Sequence, residues 1–70
     1  MRQYFIELIN GQGLQKIYFS RSRNAGKHLR DNIPNSDTGA RCVVYDKGFD
    51  GEVVSACAYQ EDGTIKYIRW

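Results

Sequence analysis

Seventy residues with 41% hydrophobic and 26% charged side chains have the composition of a folded globular chain and exclude an intrinsically disordered one. A chain this short buries only about 60% of its extended surface, so it has room for one core, and residues 1–70 read as a single domain without a linker. The formal net charge of +2 is too small to mark a nucleic-acid binder by itself; no apolar run approaches the ~18 residues that span a bilayer, and no signal-peptide pattern opens the chain. The expected compartment is the cytoplasm, with no membrane partner and with both cysteines reduced.

Gln3 to Ile9 and Leu14 to Phe19 are rich in aromatic and β-branched residues and flank Asn10-Gly11-Gln12-Gly13, which predicts a hairpin. Setting Ile9 opposite Leu14 brings Glu7 to Lys16 and Ile6 to Ile17. Charge and apolar pairing both favour that register, which puts Tyr4, Ile6, Leu8, Ile17 and Phe19 on one face. Ser20 and Ser22 are candidate N-caps for a helix of about three turns ending near Ile33, before Pro34 and Asn35. Its apolar stripe is Ala25, Leu29 and Ile33, and Arg23, Lys27 and Arg30 lie on another side. Gly26 within it costs about 1 kcal/mol relative to alanine, for which close packing on the sheet is an explanation.

Arg41 to Asp46, Glu52 to Tyr59 and Thr64 to Trp70 then read as a three-stranded meander. Gly48 and Gly51 bracket its first connection, and Asp62-Gly63 marks the second as either a two-residue hairpin or a type I turn with a bulge. The order ββαβββ predicts an α+β fold: a five-stranded antiparallel sheet with one helix packed on one face. Val43, Val54, Ala56, Ala58 and Ile68 are assigned to the helix side because small residues admit a helix closely. The outward set is then Phe5, Glu7, Ile9, Leu14, Lys16, Tyr18, Cys42, Val44, Ser55, Cys57, Tyr59, Ile65 and Tyr67, an apolar and aromatic surface of the kind that marks an interface. Pairing Asp46 with Val53 across a turn centred near Phe49 and Asp50 carries through Val44 with Ser55 and sets Cys42 opposite Cys57. Such opposed positions fall within disulfide reach, although two packed thiols are the favoured reading.

The sequence offers little for catalysis. His28 is the single histidine and has no nucleophile and orienting carboxylate beside it. No metal-ligand spacing, CxxC pair, P-loop, dinucleotide fingerprint or calcium loop occurs, so no cofactor is expected. The acids Asp46, Asp50, Glu52, Glu61 and Asp62 fall in hairpin connections, where acids serve turns and solubility. Binding is the remaining expectation. Leu14 to Arg30 carries Lys16, Arg21, Arg23, Lys27 and Arg30 with no acid, and arginines at a helix start invite an anion between them. The candidate binding residues are Arg21, Arg23, Lys27 and Arg30 on the basic helix face, and Lys16, Tyr18, Tyr59 and Tyr67 on the sheet face, where tyrosines can stack bases.

A strand pair, one Ser-initiated helix with Ala25 and Lys27, and a meander whose last hairpin reads Ala58-Tyr59-Gln60-Glu61-Asp62-Gly63-Thr64 together resemble the very small phage-encoded anti-CRISPR proteins of the type I-F inhibitors. The resemblance covers most of the chain by element order, and its local motif is the Tyr-x-Glu-Asp-Gly hairpin. It implies a five-stranded antiparallel sheet with one helix and a non-enzymatic inhibitor that docks on a CRISPR surveillance complex and obstructs target DNA. The expected function is therefore a binding protein of phage or mobile-element type acting on a protein or ribonucleoprotein complex. The alternatives are a nucleic-acid-binding module using the basic helix and aromatic face, and a homodimer joined through the open sheet faces.

Overall fold

The computed structural model describes residues 3–46 and 51–68. Strands β1 (Tyr4–Ile9) and β2 (Gln15–Ser20) precede helix α1 (Ala25–Asn32), and β3 (Arg41–Asp46), β4 (Val53–Tyr59) and β5 (Ile65–Tyr67) follow it. All pairings are antiparallel in one sheet of order β2-β1-β3-β4-β5, with β3, β4 and β5 as the expected meander. The helix packs over β1, β3 and β4. No helix among the described residues is long and apolar enough to cross a membrane.

Both tight hairpins use the same device. Asn10 and Gln60 each donate an N–H to the carbonyl four residues on, at Leu14 and Thr64, and each accepts from a glycine three residues on. Those glycines, Gly13 and Gly63, have φ of +86° and +83°, the left-handed geometry of a three-residue loop with a bulge. The Asp62-Gly63 connection therefore takes the bulged of its two predicted forms. In the first hairpin the loop is one residue shorter than expected, because Asn10 Oδ1 also accepts from the N–H of Gln12 and of Leu14 and closes the turn. Ile9 consequently faces Gln15, Leu8 faces Lys16 and Ile6 faces Tyr18, not Ile17.

A one-residue slip reverses a strand's faces. Tyr4, Ile6 and Leu8 are buried beneath the helix as expected, but their β2 neighbours there are Lys16, Tyr18 and Ser20. Across β3 and β4 the buried residues opposite Leu8 and Ile6 are Cys42 and Val44, with Cys57 beyond Cys42. The assignment of Val43, Ala56, Ala58 and Ile68 to the helix side, and of Lys16, Tyr18, Cys42, Val44, Ser55, Cys57, Tyr59, Ile65 and Tyr67 to the outer face, is thus inverted. Phe5, Glu7 and Ile9 do lie on the outer face, and Leu14 lies in the turn. Val54 packs against the core, as expected of it, because it is the extra residue where the register shifts between Val44 opposite Ser55 and Tyr45 opposite Val53. The same bulge displaces the expected Asp46–Val53 pair. The turn around Phe49 and Asp50 lies outside the described residues, as do Arg69 and Trp70 of the expected last strand.

The helix starts later than either serine. Asn24 is its N-cap, with Oδ1 accepting the Lys27 N–H at 3.2 Å. Ser20 and Ser22 instead accept the N–H two residues on, from Ser22 and Asn24, and shape the approach to the helix. Ala25, Leu29 and Ile33 form the buried stripe as predicted. Gly26 is explained by close packing: a Cβ there would run into the Tyr67 ring and hydroxyl.

Candidate interaction surfaces

The helix-side polar residues form one connected network. Tyr18 Oη lies 2.6 Å from His28 Nδ1, and His28 Nε2 lies 2.8 Å from the Ser22 carbonyl. A carbonyl accepts only, so Nε2 carries a proton; in the neutral ring Nδ1 then accepts from the tyrosine hydroxyl. Asn32 Nδ2 donates to Tyr18 Oη and to the His28 carbonyl, and Asn32 Oδ1 accepts from Lys16 Nζ. Further along, Tyr59 donates to the Ile33 carbonyl at 2.6 Å and Tyr67 to Asn24 Oδ1 at 3.2 Å. The four residues expected on an open stacking face, Lys16, Tyr18, Tyr59 and Tyr67, are therefore struts between sheet and helix. Their hydroxyls and ammonium hold the helix ends. Burial raises the Tyr18 and Tyr59 hydroxyls above their ordinary pKa, and the nearby Arg30 charge offsets part of the rise at Tyr59.

The basic set is placed differently. Arg21 and Arg23 sit in the loop before the helix and Lys27 and Arg30 on it, all exposed. The first turn contains no acid, and none of the four forms an ion pair with a described carboxylate. Arg30 stands in the last turn, where a cation complements the helix dipole, and lines a cleft of about 520 Å³ with Ile33, Asn35, Tyr59, Ile65 and Tyr67. Arg21, Arg23 and Lys27 surround the positive end, where that complement is reversed.

On the uncovered face the register assembles rows across the strands: Phe19, Phe5, Tyr45 and Val53; then Ile17, Glu7, Val43 and Ala56; then Gln15, Ile9, Arg41 and Ala58. Phe5 and Phe19 meet edge to face with ring centroids 4.4 Å apart. Glu7, in the middle, accepts from Gln15 Nε2 at 2.8 Å and from the Tyr45 hydroxyl at 3.0 Å, which satisfies its carboxylate within the sheet. Phe19, Ile17 and Ile68 keep 58%, 50% and 45% of their surface exposed. An apolar uncovered face is thus present; it keeps Phe5, Glu7 and Ile9 of the expected outward set and takes Ile17, Phe19 and Val43 in place of the residues that turned to the helix. Ile17 and Phe19 were missed as outward residues because both are apolar. Their alternation with Lys16 and Tyr18 is the signal that a correct loop length would have resolved.

Among the described residues no group of three or more His, Cys, Asp and Glu side chains could hold a metal ion. Cys42 and Cys57 are directly opposed, buried and free. No family model, curated protein or solved structure matches the chain.

Proposed function

We propose that the protein is a small non-enzymatic binding module that docks on a protein subunit of a nucleic-acid-bearing complex in the cytoplasm, in the manner of a phage-encoded inhibitor. The observation that carries this reading is the uncovered sheet face, where Phe19, Ile17 and Ile68 stay half-exposed and Glu7 is hydrogen-bonded to Gln15 and Tyr45. A docked protein surface would desolvate those apolar side chains while Glu7 keeps its two hydrogen bonds within the sheet. The sole histidine supports a non-catalytic role, since both ring nitrogens are engaged within the fold. The exposed cations Arg21, Arg23, Lys27 and Arg30 favour a partner that also presents phosphates or acids. The resemblance to small anti-CRISPR proteins suggests the type I-F surveillance complex as the first partner to try.

The test is co-elution of the purified protein with that complex, together with target-DNA binding by the complex. We expect stable co-elution and inhibition, lost when Ile17 and Phe19 are replaced by Asp, and weakened at least about tenfold when Arg23, Lys27 and Arg30 become Glu. All of these side chains are exposed or half-exposed, so each variant should retain its far-ultraviolet circular dichroism. A nucleic-acid module would behave otherwise: the protein alone would bind duplex DNA with sub-micromolar affinity at physiological salt, with log Kd rising steeply in log salt. That outcome, or failure of the Asp variants to disturb binding, overturns the docking face.

A further inference from the structure

The sheet ends in two edges of different construction. β5 is three residues long and presents an exposed Lys66. Natural sheets blunt their edges with short strands, charges, prolines and bulges, and β5 has two of these devices. β2 has only one of them, the exposed Lys16, whose ammonium is bound to Asn32 on the helix side; otherwise the strand runs regularly for six residues. Because the helix lies over β1, β3 and β4, the outer side of β2 is not roofed by it.

The ladder fixes which backbone groups face outward. Asn10 donates its N–H to the Leu14 carbonyl, and hydrogen-bonded pairs in an antiparallel ladder recur at every second position. Lys16, Tyr18 and Ser20 therefore bond to β1, and Gln15, Ile17 and Phe19 direct N–H and C=O away from it. Side chains 17 and 19 are the same half-exposed apolar pair that lies on the uncovered face.

We propose that β2 pairs antiparallel with β2 of a second copy, about a two-fold axis at Tyr18, so that two five-stranded sheets merge into one. Antiparallel pairing across such an axis opposes residues of equal parity. Ile17 then faces Phe19 of the second copy, and Phe19 faces its Ile17, each pair exchanging both N–H and C=O groups. Self-complementarity selects a second copy as the occupant. The register places β-branched against aromatic side chains at both outward pairs, sets Lys16 against a serine, and opposes no like charges. An isologous contact of this kind closes on itself. It uses Ile17 and Phe19, which the proposed docking face also uses, but through their outward backbone groups, so slowed exchange at these two amides distinguishes edge pairing from docking through the sheet face.

Sedimentation velocity from about 1 μM to about 1 mM, combined with residue-resolved amide exchange, tests the proposal. We expect a dimer within that range and exchange at the Ile17 and Phe19 amides slowed at least about tenfold as it forms. Phe19→Lys should raise the dissociation constant at least about tenfold. Ile17→Pro should do the same, since it removes an outward N–H without touching the ladder to β1, and it serves where Phe19→Lys does not fold. A protein that stays monomeric throughout overturns the proposal. So does a dimer whose Ile17 and Phe19 amides exchange as in the monomer, which would mean contact through the sheet face or another strand.

Discussion

Cys42 and Cys57 show how burial alone sets a side chain's chemistry. Loss of water pushes the Cys42 thiol up to about 12, with the neighbouring Cys57 adding to the rise; burial pushes Cys57 up to about 11 against the opposing pull of the Arg30 charge. Both remain protonated near neutrality and so are poor nucleophiles toward oxidants, although opposed strand positions come within disulfide reach. The linkage sign follows. The folded-state values exceed the ordinary 9.0, so the unfolded chain ionises first. The associated stability is fully present below that value and is lost as pH climbs toward 11 and then 12. Denaturant midpoints at about pH 8 and about pH 10 should therefore fall more steeply for the native sequence than for the Cys42→Ala/Cys57→Ala variant. Equal slopes would show that the thiols are not protected by burial.

At the level of the elements, the cap and the hairpin loop decide what the chain presents. Asn24→Ala should cost about 1 kcal/mol in urea unfolding, because it orphans the Lys27 N–H. Ser22→Ala, which removes a longer 3.3 Å contact in an exposed loop, should cost less than half of that. The reverse order would restore the serine cap. Three capping residues at alternate positions, Ser20, Ser22 and Asn24, explain why the helix start was not legible, whereas the stripe Ala25, Leu29, Ile33 was. The strands divide similarly. Alternation revealed their number, order and most of their pairings, and Cys42 opposite Cys57 was readable because opposed residues share a face whichever face that is. Which face met the helix was not readable. It turns on one residue of loop length set by Asn10 and Gly13, and on tyrosines whose hydroxyls reach helix carbonyl or amide groups instead of solvent. The exposure of the basic residues was legible because charge needs no register, and the tyrosine platform was lost because it does.

At the scale of the whole molecule, β1 is the strand around which the sheet is organised. It is joined on one side to β2 by a three-residue loop and on the other to β3, whose nearest partner in the chain, Arg41, pairs with Ile9. Hairpin and meander are each local, and the pairing of β1 with β3 and the helix across them stitch the two together. Closing that long loop carries its entropy before any contact across it compensates, so the barrier to folding belongs at this seam. In stopped-flow chevrons Val44→Ala, opposite Ile6, should lose most of its stability through slower folding, whereas Ile65→Ala in the peripheral β5 should instead speed unfolding. An unchanged folding rate for Val44→Ala would move the nucleus elsewhere. If the seam does limit folding, a newly made chain passes through a stage in which a finished hairpin waits with one side of β1 unpaired, and the time spent there sets how exposed the chain is to mispairing with its neighbours.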